Sequence, residues 1–291
     1  MSGQDFEIIA ADGFTLAASL FEPEGSAQLG VTAVISPALG VPRRFYKAFA
    51  GFLCAEGMTV LTYDVRGVGQ SRPRRMKGFE ARMSDWGELD MAAAFDWVQK
   101  NRNGDKLIAI GHSGGGQMLG LAPNGDLVDG VVAVAAQSGW WGHWRGLKYL
   151  PKRWVLRFMW SYFMPGVTAL LGHFPGGRIG LFDLPAGVAR QWASWCRDPD
   201  YLFGDPSLDL SGYQAFTAPI LAFSFDDDTY VAPSAATSVI GRFDQAAITW
   251  RHIHPADLGL AAVGHFGFFK PANGQRLWTD TVDWIKAEIP A

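Results

Sequence analysis

Uninterrupted apolar runs recur along the chain, at residues 31–36, 59–63, 107–110, 130–136 and 219–225. Runs without polar alternation are typical of strands that are buried on both faces of a parallel sheet. The segments between several of them carry apolar residues at helical spacing. The pattern therefore predicts alternating strands and helices, which form βαβ crossovers and a mostly parallel sheet, so the fold class is α/β.

The predicted helices differ in the residues that mark their ends. One helix carries Phe45, Phe49 and Phe52 on one face and stops at Gly57. Asp85 has capping-box spacing and is expected to open another. Helices are predicted at 45–56, 85–101, 116–121 and 276–288, and another is predicted to begin at about residue 233. A further strand is predicted at 248–253, and residues 6–10 and 15–21 are predicted to form a hairpin around Asp12-Gly13.

The alternating pattern breaks between residues 138 and 218. This segment holds seven of the twelve tryptophans, and its eight Lys/Arg outnumber its five Asp/Glu, in a chain whose net charge is −3. We interpret the shift as an inserted cap. The predicted organisation is a core in two parts, residues 1–137 and 219–291, with the cap at 138–218.

Composition narrows the function classes. The small negative charge provides no electrostatic footprint for nucleic acid. Cys54 and Cys196 cannot form a disulfide framework and are expected to be packed thiols. No secretion leader and no run long enough to span a membrane is present, so we expect a cytoplasmic protein. Its expected partner is a small-molecule substrate, and a homodimer is compatible with the sequence.

Residues 106–116 join an apolar run to a glycine-rich turn and a helical pattern. In the turn, Ser113 stands between Gly111 and Gly115 as Gly-x-Ser-x-Gly. A serine on a sharp strand-to-helix turn brings its neighbours so close together that a Cβ at either flank would clash. The turn also aims the free N–H groups of the following helix at the serine. We therefore predict that Ser113 is a nucleophile.

A nucleophilic serine needs a base, and the base needs a group that fixes its tautomer. His265 follows the last predicted strand between two glycines, which would let its ring turn inward, and adjacent aromatic residues would exclude water. His112 adjoins Ser113, so its side chain should point away and pack or hydrogen-bond locally. We predict that His265 is the base. The remaining histidines lie in the cap (His143, His173) or alternate at the end of the strand predicted at 248–253 (His252, His254).

The orienting carboxylate should end a strand of the sheet. Asp226, Asp227 and Asp228 directly follow strand 219–225. Calcium is one alternative, but EF-hand spacing is absent and a consecutive run cannot surround a cation, so no metal site is predicted. We expect two of the three to be solvated turn residues. Asp228 is our first choice and Asp227 the alternative.

From residue 31 to the C-terminus, outside the cap, the sequence resembles the α/β-hydrolase superfamily, and within it a little-studied bacterial group of predicted hydrolases. The resemblance rests on residues 111–115, on Tyr-Asp-Val-Arg-Gly-Val-Gly-Gln-Ser at 63–71, and on the chain order Ser113, Asp228, His265. It also favours Asp228 over Asp227, because the family acid precedes a Val-Pro-like end.

The resemblance implies an oxyanion hole formed by backbone N–H groups. The superfamily often has His-Gly where this chain has Ser36-Pro37. The residue after that pair usually donates, which implies Ala38, with Leu39 as the alternative, since proline has no N–H. The second donor would be Gly114.

The resemblance also implies a serine hydrolase that cleaves a carboxylic ester, or a related acyl bond, of a small and mainly apolar substrate through an acyl-enzyme, with no cofactor and no metal. A peptidase or amidase, and a cofactor-free lyase or perhydrolase, stay open as alternatives, and a non-catalytic binding protein is the least favoured. The serine disfavours dehalogenase and epoxide-hydrolase chemistry, for which the family uses aspartate.

The cap supplies aromatic residues and positive charge. Large aromatic side chains line small-molecule pockets, so we predict a pocket that contains Leu39, Trp140, Trp141, Trp144 and Trp192, unless each tryptophan only holds the cap together. The basic stretch from Arg145 to Arg157 contains no acid and suits an anionic substrate or a membrane surface. Such runs are more often solvated helix faces, so membrane contact is not expected.

Overall fold

The central feature of the molecule is an eight-stranded sheet, seen in a computed structural model that describes residues 3–24 and 28–290. The strand order is β1-β2-β4-β3-β5-β6-β9-β10. The strands are β1 (Gln4–Ile9), β2 (Thr15–Phe21), β3 (Val31–Ser36), β4 (Thr59–Tyr63), β5 (Lys106–His112), β6 (Gly130–Val134), β9 (Ile220–Phe225) and β10 (Ile248–Ile253).

The sheet is parallel from β4 to β10 and antiparallel at its β1–β2–β4 edge. Every residue of β3, β4, β6 and β9 is buried, as expected of strands that are covered on both faces. The predicted mostly parallel α/β sheet is therefore confirmed. The predicted hairpin also forms, and Gly13 adopts a φ of +83° in its turn.

Helices cover both faces of the sheet, so two apolar clusters form, one on each side. Helices α1 and α8 pack on one face, and α2 packs on the other with the cap segment. The helices are α1 (Lys47–Ala55), α2 (Ala92–Asn101), α3 (Gly114–Gln117), α4 (Leu150–Phe158), α5 (Met164–Leu171), α6 (Ala186–Trp195), α7 (Ser211–Ala215) and α8 (Pro271–Glu288).

Three predicted helices differ in the structure. The helix expected from about residue 233 does not form, and two short 3₁₀ turns, Pro233–Ala235 and Ile240–Arg242, replace it. The helix after Ser113 has only four residues, three of them glycines with low helix propensity. Asp85 does not cap α2: its carboxylate accepts a hydrogen bond from the N–H of Arg82, and α2 is preceded by a π-helical turn.

The segment between β6 and β9 contains helices α4 to α7 and a two-stranded sheet of β7 (His173–Pro175) and β8 (Asp183–Pro185). Its buried residues, such as Trp160, Phe174 and Trp195, belong to the same apolar cluster as Val34 and Ala109 of the main sheet. This segment therefore shares its core with the sheet. Its interpretation as an inserted cap and its boundaries at 138 and 218 stay predictions.

Two further expectations concern cysteines and membrane spans. Cys54 and Cys196 are both free and buried, as predicted. Burial raises the pKa of the Cys54 thiol to about 11, which keeps it neutral at physiological pH. Among the helices of the described ranges, none combines the length and apolar character that crossing a membrane would require.

Candidate active site

Ser113 lies at the apex of the turn between β5 and α3 with φ +50° and ψ −116°, a conformation that L residues rarely adopt. The turn is as tight as the motif predicts. A Cβ on Gly111 would lie 2.3 Å from the Cα of Gly116, and one on Gly115 would lie 2.2 Å from the carbonyl oxygen of Ser36. Backbone cannot yield easily in either place, so both positions require glycine.

His265 and Asp228 are brought together by the loops that follow β10 and β9. The Nδ1–H of His265 donates to Oδ2 of Asp228 across 2.7 Å, and the two side chains are 5% and 1% exposed. The other carboxylate oxygen accepts the N–H groups of Tyr230 (2.8 Å) and Val231 (3.2 Å). Asp228 is thus fully hydrogen-bonded, and it leaves Nε2 of His265 as the unprotonated nitrogen.

The three consecutive aspartates have three different environments. Asp227 accepts the N–H groups of Val263 (2.8 Å) and Gly264 (2.9 Å), so it holds the loop that carries His265. The expectation that two of the three are solvated turn residues is therefore wrong for Asp227. Asp226 is exposed and lies with the exposed rings of His252 and His254, with the three ligand-type atoms within 4.8 Å of one another.

His112 is fully buried and takes part in a hydrogen-bond chain between two loops of the site. The N–H of Ala38 donates to Oη of Tyr46 (2.8 Å), and that hydroxyl donates to Nδ1 of His112 (2.9 Å). Nε2–H of His112 then donates to the carbonyl oxygen of His265 (2.9 Å). Burial holds the pKa of His112 well below its usual value, consistent with a neutral ring, and His265 lowers it further when its own ring is protonated.

This hydrogen-bond chain changes which backbone N–H groups are available for an oxyanion hole. Because the N–H of Ala38 already donates to Tyr46, Ala38 is not the free donor that the resemblance implies. Within the described ranges, the N–H groups of Leu39 and Gly114 have no acceptor. The Leu39 nitrogen lies 3.4 Å from the position that a Cβ on Gly114 would occupy. The alternative donor, Leu39, fits the geometry better.

A cavity of about 270 Å³ opens above Ser113, and both Ser113 and His265 line it. Leu39 and Trp192 line it as expected, whereas Trp140, Trp141 and Trp144 do not. In the described part of the chain, the Ser113 hydroxyl makes no direct hydrogen bond to His265; such bonds are often long without substrate. The wall is mainly apolar and is formed by Met83, Leu156, Met159, Trp160, Phe174, Leu181, Phe182, Leu184, Val231 and Phe266.

Two residues of the site were not found from the sequence, and a third, Lys152, was considered only as a member of the basic stretch. Tyr46 fell within a predicted helix, and nothing local marks its hydroxyl as a partner of His112. Tyr230 stacks on the His265 ring with centroids 5.1 Å apart. Lys152 of α4 lines the cavity and donates to the carbonyl oxygen of Thr229 (2.7 Å), which ties the cap to the loop of Asp228. These contacts join residues far apart in the chain.

The fold is that of the α/β-hydrolase enzymes. The model of the alpha/beta hydrolase fold family matches residues 40–270, and the chain belongs to that family. No curated protein matches the sequence.

Solved structures that resemble the chain have low sequence identity. Est1E of Butyrivibrio proteoclasticus, with ferulic acid bound, is 15% identical, with 98% of this chain and 100% of that chain covered and a TM-score of 0.65. An esterase of Pyrococcus furiosus is 17% identical, with 99% and 91% covered and a TM-score of 0.63. The esterase domain of a Rhodothermus marinus protein is 15% identical, with 99% of each chain covered and a TM-score of 0.60. At these identities the likeness concerns the fold.

Proposed function

We propose that the protein is a carboxylesterase that cleaves esters of small, mainly apolar substrates by way of an acyl-enzyme. The observation that carries the proposal is the buried His265–Asp228 pair, whose histidine lines one cavity with Ser113 on its strained turn. This combination supplies a nucleophile, a base and a group that orients the base. The esterases among the similar structures agree with it.

In the first half-reaction, Ser113 Oγ attacks the ester carbonyl while Nε2 of His265 accepts the hydroxyl proton. The carboxylate of Asp228 stabilises the imidazolium through Nδ1–H. The N–H groups of Leu39 and Gly114 donate to the developing oxyanion, and each such donor contributes about 3–4 kcal/mol in comparable enzymes. His265 then returns the proton to the alkoxide, and the alcohol departs.

In the second half-reaction, water takes the place of the alcohol. His265 removes a proton from water while the water oxygen attacks the acyl carbonyl. The second tetrahedral intermediate then collapses: the bond to Ser113 Oγ breaks, His265 returns the proton to that oxygen, and the carboxylic acid leaves. Proton and bond changes balance over the two steps, and the products are one carboxylic acid and one alcohol.

The cavity favours an apolar acyl or alcohol group of limited size. Its wall is mostly aliphatic and aromatic, and its volume is about 270 Å³. Trp160 and Trp192 pack with ring centroids 4.6 Å apart, which makes one wall rigid. We therefore expect short and medium-chain esters to be better substrates than long-chain or charged ones.

The proposal is tested with an active-site probe and a substrate panel. A fluorophosphonate should label the wild type and the control Ser207→Ala, whose serine is exposed, but not Ser113→Ala. p-Nitrophenyl esters of increasing chain length, assayed beside aminoacyl-anilides, separate an esterase from a peptidase or amidase. Faster turnover of anilides than of esters would refute the esterase assignment, and labelling that survives Ser113→Ala would refute the nucleophile.

A further inference from the structure

The outer surface of the cap is unusually apolar. Among the described residues, twelve large hydrophobic side chains are exposed, and eight of these lie between residues 147 and 171. Monomeric proteins rarely concentrate exposed apolar residues in one place unless that place binds something. The segment is helical throughout residues 150–171, from α4 through a π-helical turn to α5.

The exposed residues of α4 and the following turn form one stripe. Trp154, Val155, Phe158 and Tyr162 are 64%, 62%, 58% and 69% exposed, at positions that recur on one side of a helix. The opposite side of the same helix faces the cavity, for example through Leu156. The stripe therefore lies on the solvent side of the helix, and packing within this chain does not explain why its residues are apolar.

The same surface is positively charged. Residues 139–182 contain six Lys/Arg and no Asp/Glu, although the whole chain has a net charge of −3. Within the described part of the chain, no salt bridge involves Lys148, Arg153 or Arg157. Their cationic groups instead lie over aromatic rings, such as Arg157 over Trp154 at 5.5 Å and Lys148 over Tyr149 at 4.8 Å.

We propose that this cap surface, formed by Leu147, Leu150, Trp154, Val155, Phe158 and Tyr162 with the cations Arg145, Lys148, Arg153 and Arg157, docks on an anionic lipid surface. A helix with exposed aromatic residues and flanking cations lies in the plane of a membrane interface. Trp and Tyr suit the headgroup level, and the cations suit anionic headgroups. This proposal departs from the expectation that the basic stretch is only a solvated helix face, because the residues beside the cations are exposed and apolar.

A second copy of the chain is a poorer occupant. A two-fold interface would bring this surface against itself, so the cations of one copy would face those of the other. Residues 139–182 offer no acid to neutralise them. Repulsion between like charges in a partly dry interface opposes such a dimer, whereas an anionic bilayer neutralises the same charges.

Docking requires neither hydrolysis nor an intact Ser113. It would, however, place the helix that lines the cavity at the lipid surface, since α4 carries Lys152 and Leu156 on its cavity side. The proposal thus stands or fails apart from the esterase assignment.

Co-sedimentation with sucrose-loaded vesicles tests the proposal. The full chain should sediment with vesicles of equal parts phosphatidylcholine and phosphatidylglycerol, much less with phosphatidylcholine alone, and less as salt rises. Lys148→Gln/Arg153→Gln/Arg157→Gln should weaken partitioning about a hundredfold, from about fivefold for each charge. Trp154→Ser/Phe158→Ser should weaken it by about tenfold or more. Ser113→Ala should bind like the wild type.

Matched controls change exposed residues elsewhere: Ile9→Ser for the apolar pair, and Arg74→Gln/Arg75→Gln/Lys100→Gln for the charges. Each variant should keep the fluorophosphonate labelling or, failing that, the circular dichroism spectrum of the wild type, which shows that it is folded. Absence of binding to anionic vesicles, or equal losses in the controls, would overturn the proposal. So would a dimer in sedimentation velocity, without lipid, that Trp154→Ser/Phe158→Ser dissociates, since the surface would then join two chains.

Discussion

Replacing Asp228 by asparagine tests the orientation of His265 at a single atom. In the wild type, one carboxylate oxygen accepts two backbone N–H groups, and the other accepts Nδ1–H of His265. Asparagine has one carbonyl oxygen, and that oxygen should keep the two backbone bonds. Its NH₂ group then faces Nδ1, which must become an acceptor, so the proton moves to Nε2. The nitrogen that should take the Ser113 proton is no longer a base.

The expected loss in kcat is about 10⁴-fold, as for the corresponding change in well-studied triads, which corresponds to about 5.5 kcal/mol of transition-state stabilisation. Ester hydrolysis under saturating substrate measures it, and circular dichroism checks the fold. The matched control is Asp227→Asn. Asp227 accepts one backbone N–H on each oxygen, so asparagine keeps one bond and loses the other.

Loss of one hydrogen bond to this half-buried carboxylate destabilises the fold by about 1–3 kcal/mol. A small displacement of His265 should reduce kcat by about 10²-fold or less. The two variants therefore distinguish a carboxylate that orients the His265 ring from one that only holds the loop that carries His265. If Asp227→Asn loses activity by four orders of magnitude while Asp228→Asn stays active, the assignment of Asp228 is refuted and the alternative acid is correct.

Three further predictions concern the supports of the site. Tyr46→Phe leaves Ala38 N–H and His112 Nδ1 buried without partners, so urea unfolding should show a loss of about 2–6 kcal/mol; an unchanged midpoint would contradict the hydrogen-bond chain. Burial lowers the pKa of His112 in the folded state, so below about pH 6.5 the unfolded chain binds a proton there that the folded chain does not. The free energy of unfolding therefore decreases as the pH falls, by up to about 1.4 kcal/mol per pH unit. His112→Gln should remove that part of the slope between pH 6.5 and 5, and equal slopes for both proteins would refute the linkage. Gly115→Ala places a Cβ against the Ser36 carbonyl oxygen, so both kcat and the thermal unfolding midpoint should fall. The control Gly125→Ala, which has space around its Cα, should change both quantities less than Gly115→Ala does.

Local chemistry along the chain was sufficient for the framework of the fold and for the sharp turn that carries Ser113. The buried strands are continuous apolar runs, and the turn at Ser113 carries its own steric requirement in Gly111 and Gly115. Both depend on residues that are neighbours in sequence, which is why they could be predicted. The helix expected from residue 233 failed because apolar spacing without strong end signals does not exclude a chain of short turns.

Only the tertiary structure decided which hydrogen-bonding atoms already have a partner and which side chains face the cavity. The family resemblance implies Ala38 as the donor, with Leu39 as the alternative, but the hydroxyl of Tyr46 accepts the N–H of Ala38. Likewise, nothing local distinguishes Trp192, which lines the cavity, from Trp154, which faces outward. A hydrogen bond or a buried face depends on which distant segment packs alongside, and residue periodicity contains no information about that neighbour.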